Sequence, residues 1–435
     1  MTERLTLSVA ADRSFAWVEG DSVRYIVATL DGRRPESAAS EPTPPFNLAL
    51  VIDVSGSMSG EKLTRAKAAA LDVADRLRDT DRLSIVSFAS ETIVHVEARR
   101  LAGDVRSAIR AAIEKLETRG NTDLSEGWLT GAECVAKAIE GAGVNRVILL
   151  SDGQANAGIV EPEQLAFHAS ELARRGVTTS CVGIGDDYDS LVLQAIAEHG
   201  GGRLHDAELA SDIVAMLMGE LGEIGSLAAQ DVSIALHVPA TAKAVFVGSA
   251  PTQVATGALS ISLGALVADR PRACVFRVTL PAGKIDETLL FGLTARGTAS
   301  SGAALEARPS EVVFTLVEGA RNNRQPRDEA ATMAVATAWH AEILRTSARM
   351  NRAGERRQAR RYLERELHHF ERYCSGLPEA LPLLKEIATL KQNIDRSWNE
   401  RTRKEMEFAA YAVQSNRADY RSPRKSWANR LDDES

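Results

Sequence analysis

The chain has 435 residues, of which 44% are hydrophobic and 26% charged, and its formal net charge is −7 at pH 7. This length exceeds one ordinary domain, so two or three domains are expected. No apolar run reaches the roughly 18 to 20 residues of a membrane-spanning helix, and the first residues lack an apolar signal core. The sequence therefore argues against a membrane segment and predicts a cytoplasmic location.

Cysteine usage supports the same compartment. The four cysteines, Cys134, Cys181, Cys274 and Cys374, lie far apart and form no CxxC pair. Most of them stand among apolar or small residues, which favours buried thiols in a reducing compartment over disulfides or a zinc site.

The first 45 residues contain two predicted strands and a linker. Residues 5–9 and 22–30 alternate between apolar and polar side chains, the second run more weakly. Residues 31–45 are rich in Pro, Ser, Glu and Arg and are interpreted as a polar linker. Because two strands alone do not make a stable sheet, these strands need partners elsewhere in the chain.

From residue 46 the pattern alternates between strands and helices, which is typical of a doubly wound, mostly parallel sheet. Residues 92–96 follow the preceding strand so closely that they are expected to form an antiparallel edge. The predicted strands are 48–52, 83–88, 92–96, 146–150 and 177–184, and the predicted helices are 61–77, 104–116, 124–139, 162–174, 190–198 and 209–225. Residues 200–202, three glycines, are predicted to form a turn.

The pattern changes again after residue 226. Short alternating runs, split by Gly, Pro and Ala, predict an antiparallel β-sandwich over residues 226–320. The two N-terminal strands can pair there, so the fold class is an α/β domain (46–225) inserted in a β-sandwich built from residues 1–45 and 226–320. A helical region (321–415) and a polar tail (416–435), expected to be disordered, complete the chain.

Charge is distributed unevenly along the chain. Residues 321–435 contain 23 Lys and Arg against 17 Asp and Glu, a local charge of +6, which leaves −13 on the remainder. A basic helical region can mark a nucleic-acid contact, a solvated face, or docking onto the protein's own acidic surface. The interleaved acids and the few aromatic residues argue against nucleic acid. Self-interaction of the helical region with the body, which would make the protein autoinhibited, stays a hypothesis.

One stretch carries the strongest functional signal. Five apolar residues, 48–52, form a predicted strand that is followed by Asp53, Ser55 and Ser57. Two further oxygen-bearing side chains stand at corresponding places, Thr122 in a polar loop and Asp152 at the end of the predicted strand 146–150. Ligands of open α/β sheets bind at the carboxyl ends of strands, and hydroxyls and carboxylates suit a hard divalent cation.

Each of these residues also has an ordinary structural interpretation. Ser57 can cap the helix that starts near Glu61, and Thr122 or Asp123 can cap the helix that starts at Leu124. Asp152 can close a turn with the following glycine. Five such coincidences in order favour the metal site over five separate caps.

The order Asp53-x-Ser55-x-Ser57, then Thr122, then Asp152, resembles the complete metal-ion-dependent adhesion site of von Willebrand factor A domains. The resemblance covers residues 46 to 221, and the surrounding organisation is similar to bacterial multi-domain members. It implies a bound Mg²⁺, with Mn²⁺ or Ca²⁺ as alternatives. Ser55 and Ser57 would coordinate directly, Thr122 would join when a ligand is engaged, and Asp53 and Asp152 would act largely through water or hydrogen bonds.

The resemblance also implies a function. An Asp or Glu side chain of a partner protein would supply the last metal ligand, and binding would be coupled to movement of the helix 209–225. The chain would then be a non-enzymatic, Mg²⁺-dependent protein-interaction module. The alternative is an accessory or adaptor subunit of an intracellular ATPase or of a kinase–phosphatase signalling system.

A metal-dependent hydrolase is the least favoured interpretation. The serines around position 55 lack the G-x-S-x-G elbow, no histidine has an evident role as a base, and no Gly-Lys-Ser/Thr loop for ATP is present.

Overall fold

The computed structural model describes residues 5–33, 44–140, 143–152, 155–185, 188–207, 227–299 and 302–414, with positions 213, 219 and 427. The chain divides into two compact units. The first combines Met1–Arg34, Ala228–Ala299 and Ala303–Ser435, and the second combines Pro35–Leu227 with Ser300–Gly302. The second unit therefore interrupts the first in sequence, as the predicted insertion requires.

The strands of the described residues, numbered in chain order, are β1 Leu5–Ala11, β2 Phe15–Trp17, β3 Ser22–Gly32, β4 Phe46–Asp53, β5 Arg82–Phe88, β6 Thr92–Arg100, β7 Val144–Ser151, β8 Thr178–Ile184, β9 Gly201–Ala207, β10 Leu227–His237, β11 Lys243–Val247, β12 Thr252–Ala255, β13 Ala258–Val267, β14 Arg272–Leu280, β15 Thr288–Thr298, β16 Ala304–Glu306 and β17 Ser310–Val317.

The helices of the same residues are α1 Glu61–Arg76, α2 Val105–Glu114, α3 Leu124–Lys137, α4 Pro162–Arg174, α5 Ser190–His199, α6 Gly319–Arg324, α7 Glu329–Arg352, α8 Arg356–Cys374, α9 Leu381–Asn393 and α10 Glu400–Gln414. Short 3₁₀ turns occupy Gly56–Met58 and Pro378–Ala380.

The second unit contains one six-stranded sheet in the order β6-β5-β4-β7-β8-β9. Every neighbouring pair is parallel except β5 and β6, which are antiparallel. The predicted mostly parallel sheet with an antiparallel edge is thus confirmed. In this order β4 lies between β5 and β7, so the ends of β4 and β7 are neighbours.

Strand β4 is buried along its whole length because helices cover both faces of the sheet. Leu48, Leu50 and Ile52 pack in one core with residues of α1 and α2. On the opposite face α3 approaches so closely that a Cβ on Gly131 would lie 2.2 Å from Val51 Cγ2. Burial on both faces explains why the strand has a continuous apolar run rather than an alternating one.

The first unit contains two packed sheets. One has the order β1-β3-β14-β11, and the other has the order β12-β13-β10-β15-β17-β2, with β16 paired to β15. Strand β3 pairs with β14 from Ser22↔Leu280 to Leu30↔Arg272, so the N-terminal segment forms a sheet with a strand that lies 242 to 258 positions later in the chain. The predicted sandwich, built from both sides of the inserted unit, is confirmed.

The helical region packs against the outer face of the first of these sheets. Tyr25, Val27 and Val275 lie in one core with α7 and α8, whereas Ile26 and Ala28 face the interior of the sandwich. The hydroxyl of Tyr373 donates a hydrogen bond to Asp12 Oδ2 (3.3 Å). Because β3 is covered on both faces, its alternation in the sequence is weak.

Several elements differ from the sequence predictions. Strands β2, β12 and β16 are short and were not predicted, and β9 begins at Gly201, inside the predicted glycine turn. Gly202 approaches the backbone of Thr179 so closely that a Cβ would lie 2.0 Å from its carbonyl oxygen, so close strand pairing requires the glycine. Most of the predicted helix 209–225, linker residues 34–43 and nearly all of the tail 416–435 lie outside the described residues. The predicted segment limits stay predictions.

All four cysteines are buried, and none of the four forms a disulfide bond. Burial raises the pKa of the Cys274 thiol to about 11. Within the described part of the chain, no helix is both long enough and apolar enough to cross a bilayer.

The close approach of α3 to β4 gives a testable prediction. Gly131→Ala should lower the free energy of unfolding by about 1–3 kcal/mol through overpacking against Val51, although Ala normally stabilises a helix interior relative to Gly. Adding Val51→Ala should make room for the new methyl group. Urea unfolding of both single variants and the double variant measures the coupling, and additive effects would contradict the proposed contact.

Candidate functional site

The candidate site begins where β4 ends. Asp53 is the last residue of the strand, and its Oδ1 accepts a hydrogen bond from the backbone N–H of Ser55 (2.8 Å). The 3₁₀ turn Gly56–Met58 then brings the hydroxyl of Ser57 to 3.0 Å from that of Ser55. The two hydroxyls therefore lie side by side, directly after a rigid, buried strand.

Protein donors engage both oxygens of Asp53. Its Oδ2 accepts a hydrogen bond from the hydroxyl of Ser151 (2.6 Å), the last residue of β7. The side chain is fully buried, and burial raises the pKa of Asp53 to about 6, against the opposing effect of the hydrogen bonds from Ser151 and Ser55. The nearby negative charge of Asp152 raises this pKa further. This environment favours a compensating positive charge.

Asp152 follows β7 and is also fully buried. Its Oδ2 lies 3.2 Å from the ammonium nitrogen of Lys62, in the first turn of α1. Its Oδ1 is buried and has no hydrogen-bond partner among the described residues. A buried carboxylate oxygen without a partner is costly and rare, and it points to a ligand or ion at this place.

The loop that contains Thr122 is held against the serine turn. The backbone N–H of Gly56 donates to the carbonyl of Gly120 (3.2 Å), and that of Arg119 donates to the carbonyl of Val54 (2.6 Å). The backbone N–H of Thr122 donates in turn to Asn156 Oδ1 (2.9 Å). Three loops, after β4, before α3 and after β7, therefore meet at one edge of the sheet.

The alternative interpretation of these polar residues as helix caps is confirmed for Asp123 and wrong for Ser57 and Thr122. Asp123, not Thr122, caps α3, since its side chain accepts a hydrogen bond from the backbone N–H of Glu126. Gly60 occupies the N-cap position of α1, with no side-chain cap, so Ser57 does not cap that helix. Neither Ser57 nor Thr122 is needed to cap the start of a helix.

A second polar cluster lies beside the same loops. The hydroxyl of Ser87 lies 2.7 Å from His95 Nε2 and accepts a hydrogen bond from Arg119 Nη2 (3.2 Å). Burial, and then the charge of Arg119, lowers the pKa of His95. Sequence reasoning missed this pair because its members stand on two neighbouring strands. Ser87 is only 1% exposed, so the pair fixes the position of Arg119 rather than presenting a nucleophile.

The candidate ligand atoms of this site fit a small, hard cation. They are oxygens only: two carboxylates and the hydroxyls of Ser55, Ser57 and Thr122. Elsewhere in the described chain, as here, no group of three or more His, Cys, Asp or Glu side chains is placed to hold a metal. Ser151, Lys62 and Asn156 support the site and were not predicted. All three stand in the stretches 55–63 and 150–156, over which the resemblance to von Willebrand factor A domains extends, but sequence reasoning assigned none of them a role.

Comparison with known proteins supports the assignment of this unit. Residues 47–215 match the family model of the von Willebrand factor type A domain. The chain is 29% identical over 195 residues to the protein YfbK of Escherichia coli (strain K12), covering 44% of this chain and 34% of that protein. It is 29% identical over 171 residues to the human inter-alpha-trypsin inhibitor heavy chain H3, covering 37% of this chain and 19% of that protein. The chain thus matches 34% of the length of the first relative and 19% of the length of the second.

A solved structure, a von Willebrand factor type A protein from Catenulispora acidiphila, superposes with a TM-score of 0.66 at 18% identity and covers 90% of each chain. At this identity the likeness shows the fold alone, and it extends over the sandwich and the helical region as well. The sequence match and the six-stranded sheet support the same assignment for residues 47–215. Residues 47–215 are a von Willebrand factor type A domain, a member of a family of protein-interaction modules.

Proposed function

We propose that this chain is a non-enzymatic, Mg²⁺-dependent interaction module that binds an Asp or Glu side chain of a partner protein at the loops after β4 and β7. The observation that carries the proposal is the buried Asp152, with one oxygen unpartnered among the described residues, beside the hydrogen-bonded Asp53. An anionic, oxygen-lined site of this kind is completed by a divalent cation.

The hydrogen bonds support different roles for the five residues in this proposal. Asp53 has both oxygens engaged by Ser55 and Ser151, so it orients the serine turn rather than being free to chelate. The adjacent hydroxyls of Ser55 and Ser57 are the best placed direct ligands. Thr122 would add a third hydroxyl, and Asp152 would contribute through its buried carboxylate.

If hydroxyls are the main protein ligands, the partner's carboxylate can act as a further ligand of the metal. A bound Mg²⁺ coordinated mainly by neutral hydroxyls retains much of its charge and supplies a Lewis-acidic position for an incoming carboxylate oxygen. The protein's part is to hold the hydroxyls on a rigid strand end and to keep its own carboxylates buried and oriented.

Metal binding can be tested directly. Mg²⁺ should raise the melting temperature of the wild-type protein, and Mg²⁺ at about 100 times its dissociation constant should add about 2.7 kcal/mol of stability. Asp152→Asn should weaken Mg²⁺ binding by about 10- to 100-fold, the usual effect of losing a supporting group. Calorimetric titration measures the affinity. Asp75→Asn, which changes an exposed carboxylate of α1 paired with Arg110, is the matched control. Equal affinities in all three proteins would contradict the proposed site.

Partner binding needs a separate experiment. A pull-down from native lysate with wild type and Asp53→Ala, each with Mg²⁺ and with EDTA, should retain a partner only on wild type with Mg²⁺. Circular dichroism of Asp53→Ala checks that the variant is folded, because Asp53 is fully buried. Partners that are indifferent to both changes would show that the site does not mediate the interaction.

A further inference from the structure

Lys62 is the one lysine or arginine side chain paired with a carboxylate of the candidate site among the described residues. Its Nζ lies 3.2 Å from Asp152 Oδ2, and its side chain is 23% exposed while that of Asp152 is fully buried. Lys62 lies in the first turn of α1, where the helix dipole disfavours a positive charge. The lysine is therefore held there by Asp152 and not by its own helix.

The fold makes room for this lysine. Gly185 directly follows β8 with a positive φ of 83°, and a Cβ there would lie 2.8 Å from Lys62 Cε. Any larger residue would push the lysine stem away from Asp152. The neighbouring Glu61 forms an ion pair with Arg65 and is 83% exposed, so it does not compensate the charge of Lys62 at the site.

We infer that Lys62 sets the charge balance of the site, so that it lowers the affinity for Mg²⁺ and raises the affinity of the Mg²⁺-loaded site for a carboxylate. This inference rests on the proposed function and names a residue that determines its specificity.

A charge count gives the reason. Asp53, Asp152 and Lys62 together carry −1, and Mg²⁺ changes this to +1, so that a partner's carboxylate brings the site to neutrality. Without Lys62 the same three states carry −2, 0 and −1. The lysine therefore repels the metal ion but leaves the Mg²⁺-loaded site with a net charge of about +1. An incoming carboxylate is attracted to this positive site, whereas without Lys62 the loaded site would be neutral.

Three variants separate this role from a structural one. Lys62→Met removes both the charge and the hydrogen bond, whereas Lys62→Gln removes the charge and keeps a donor for Asp152. Lys67→Met is the matched control, since Lys67 stands on the same helix and donates to the backbone carbonyl of Glu114. Circular dichroism establishes that each variant is folded.

Two affinities should move in opposite directions. Calorimetry should show Mg²⁺ binding about tenfold tighter in both Lys62 variants than in wild type, a change within the range expected for one neighbouring charge. Acetate binding to the Mn²⁺-loaded protein, followed by water-proton relaxation as acetate displaces bound water, should be about tenfold weaker in both. Lys67→Met should match wild type in both measurements.

Other outcomes overturn the inference. Unchanged Mg²⁺ and acetate affinities in the Lys62 variants, or losses of both, would show that Lys62 serves only to stabilise the loop. Wild-type behaviour of Lys62→Gln beside altered Lys62→Met would assign the effect to the hydrogen bond. If the wild-type protein binds Mg²⁺ and any of these results is found, only the inference about Lys62 is overturned. If the wild-type protein does not bind Mg²⁺, the proposed function is overturned as well.

Discussion

Two carboxylates, Asp53 and Asp152, lie fully buried at the ends of adjacent parallel strands, and the geometry of the site follows from that placement. Burying charged groups is costly unless donors or counter-charges reach them. The N–H of Ser55, the hydroxyl of Ser151 and the ammonium of Lys62 meet part of this need, and they come from three places: the turn after β4, the end of β7 and the first turn of α1. The requirement to satisfy these carboxylates thus fixes the conformation of the loops around them.

The position of the carboxylates depends in turn on how β4 is packed. Helices α1 and α2 cover one face and α3 the other, at a distance that only Gly131 permits. A strand enclosed in this way ends at a fixed point, so the hydroxyls that follow it need little ordering when they bind a ligand. Packing around β4 in the core of the domain therefore fixes the positions of the candidate ligands at the edge of the sheet.

The first unit also contains a strand that is covered on both faces. Strand β3 carries Ile26 and Ala28 into the sandwich, and Tyr25 and Val27 into the helical region. Asp12 joins the layers, since it accepts hydrogen bonds from the backbone of Tyr25 (2.8 Å) and from the Tyr373 hydroxyl. The N-terminal segment, the sandwich and the helices are consequently one packed body, and removal of the helices would expose the apolar outer face of β3.

The sequence by itself predicted the alternation of strands and helices, the mostly parallel sheet and the insertion into a sandwich, because these follow from local periodicity and from two strands that lack partners. It also placed Asp53, Ser55, Ser57 and Asp152 after predicted strands and Thr122 in a polar loop, and the resemblance joined the five into one candidate metal site. Only the tertiary structure decided the contacts made between distant segments. Lys62 and Asp152 are 90 residues apart and belong to different elements, and Ser87 and His95 meet only through strand pairing. Such pairs leave no periodic signal, since they depend on strand order and on the register between neighbours.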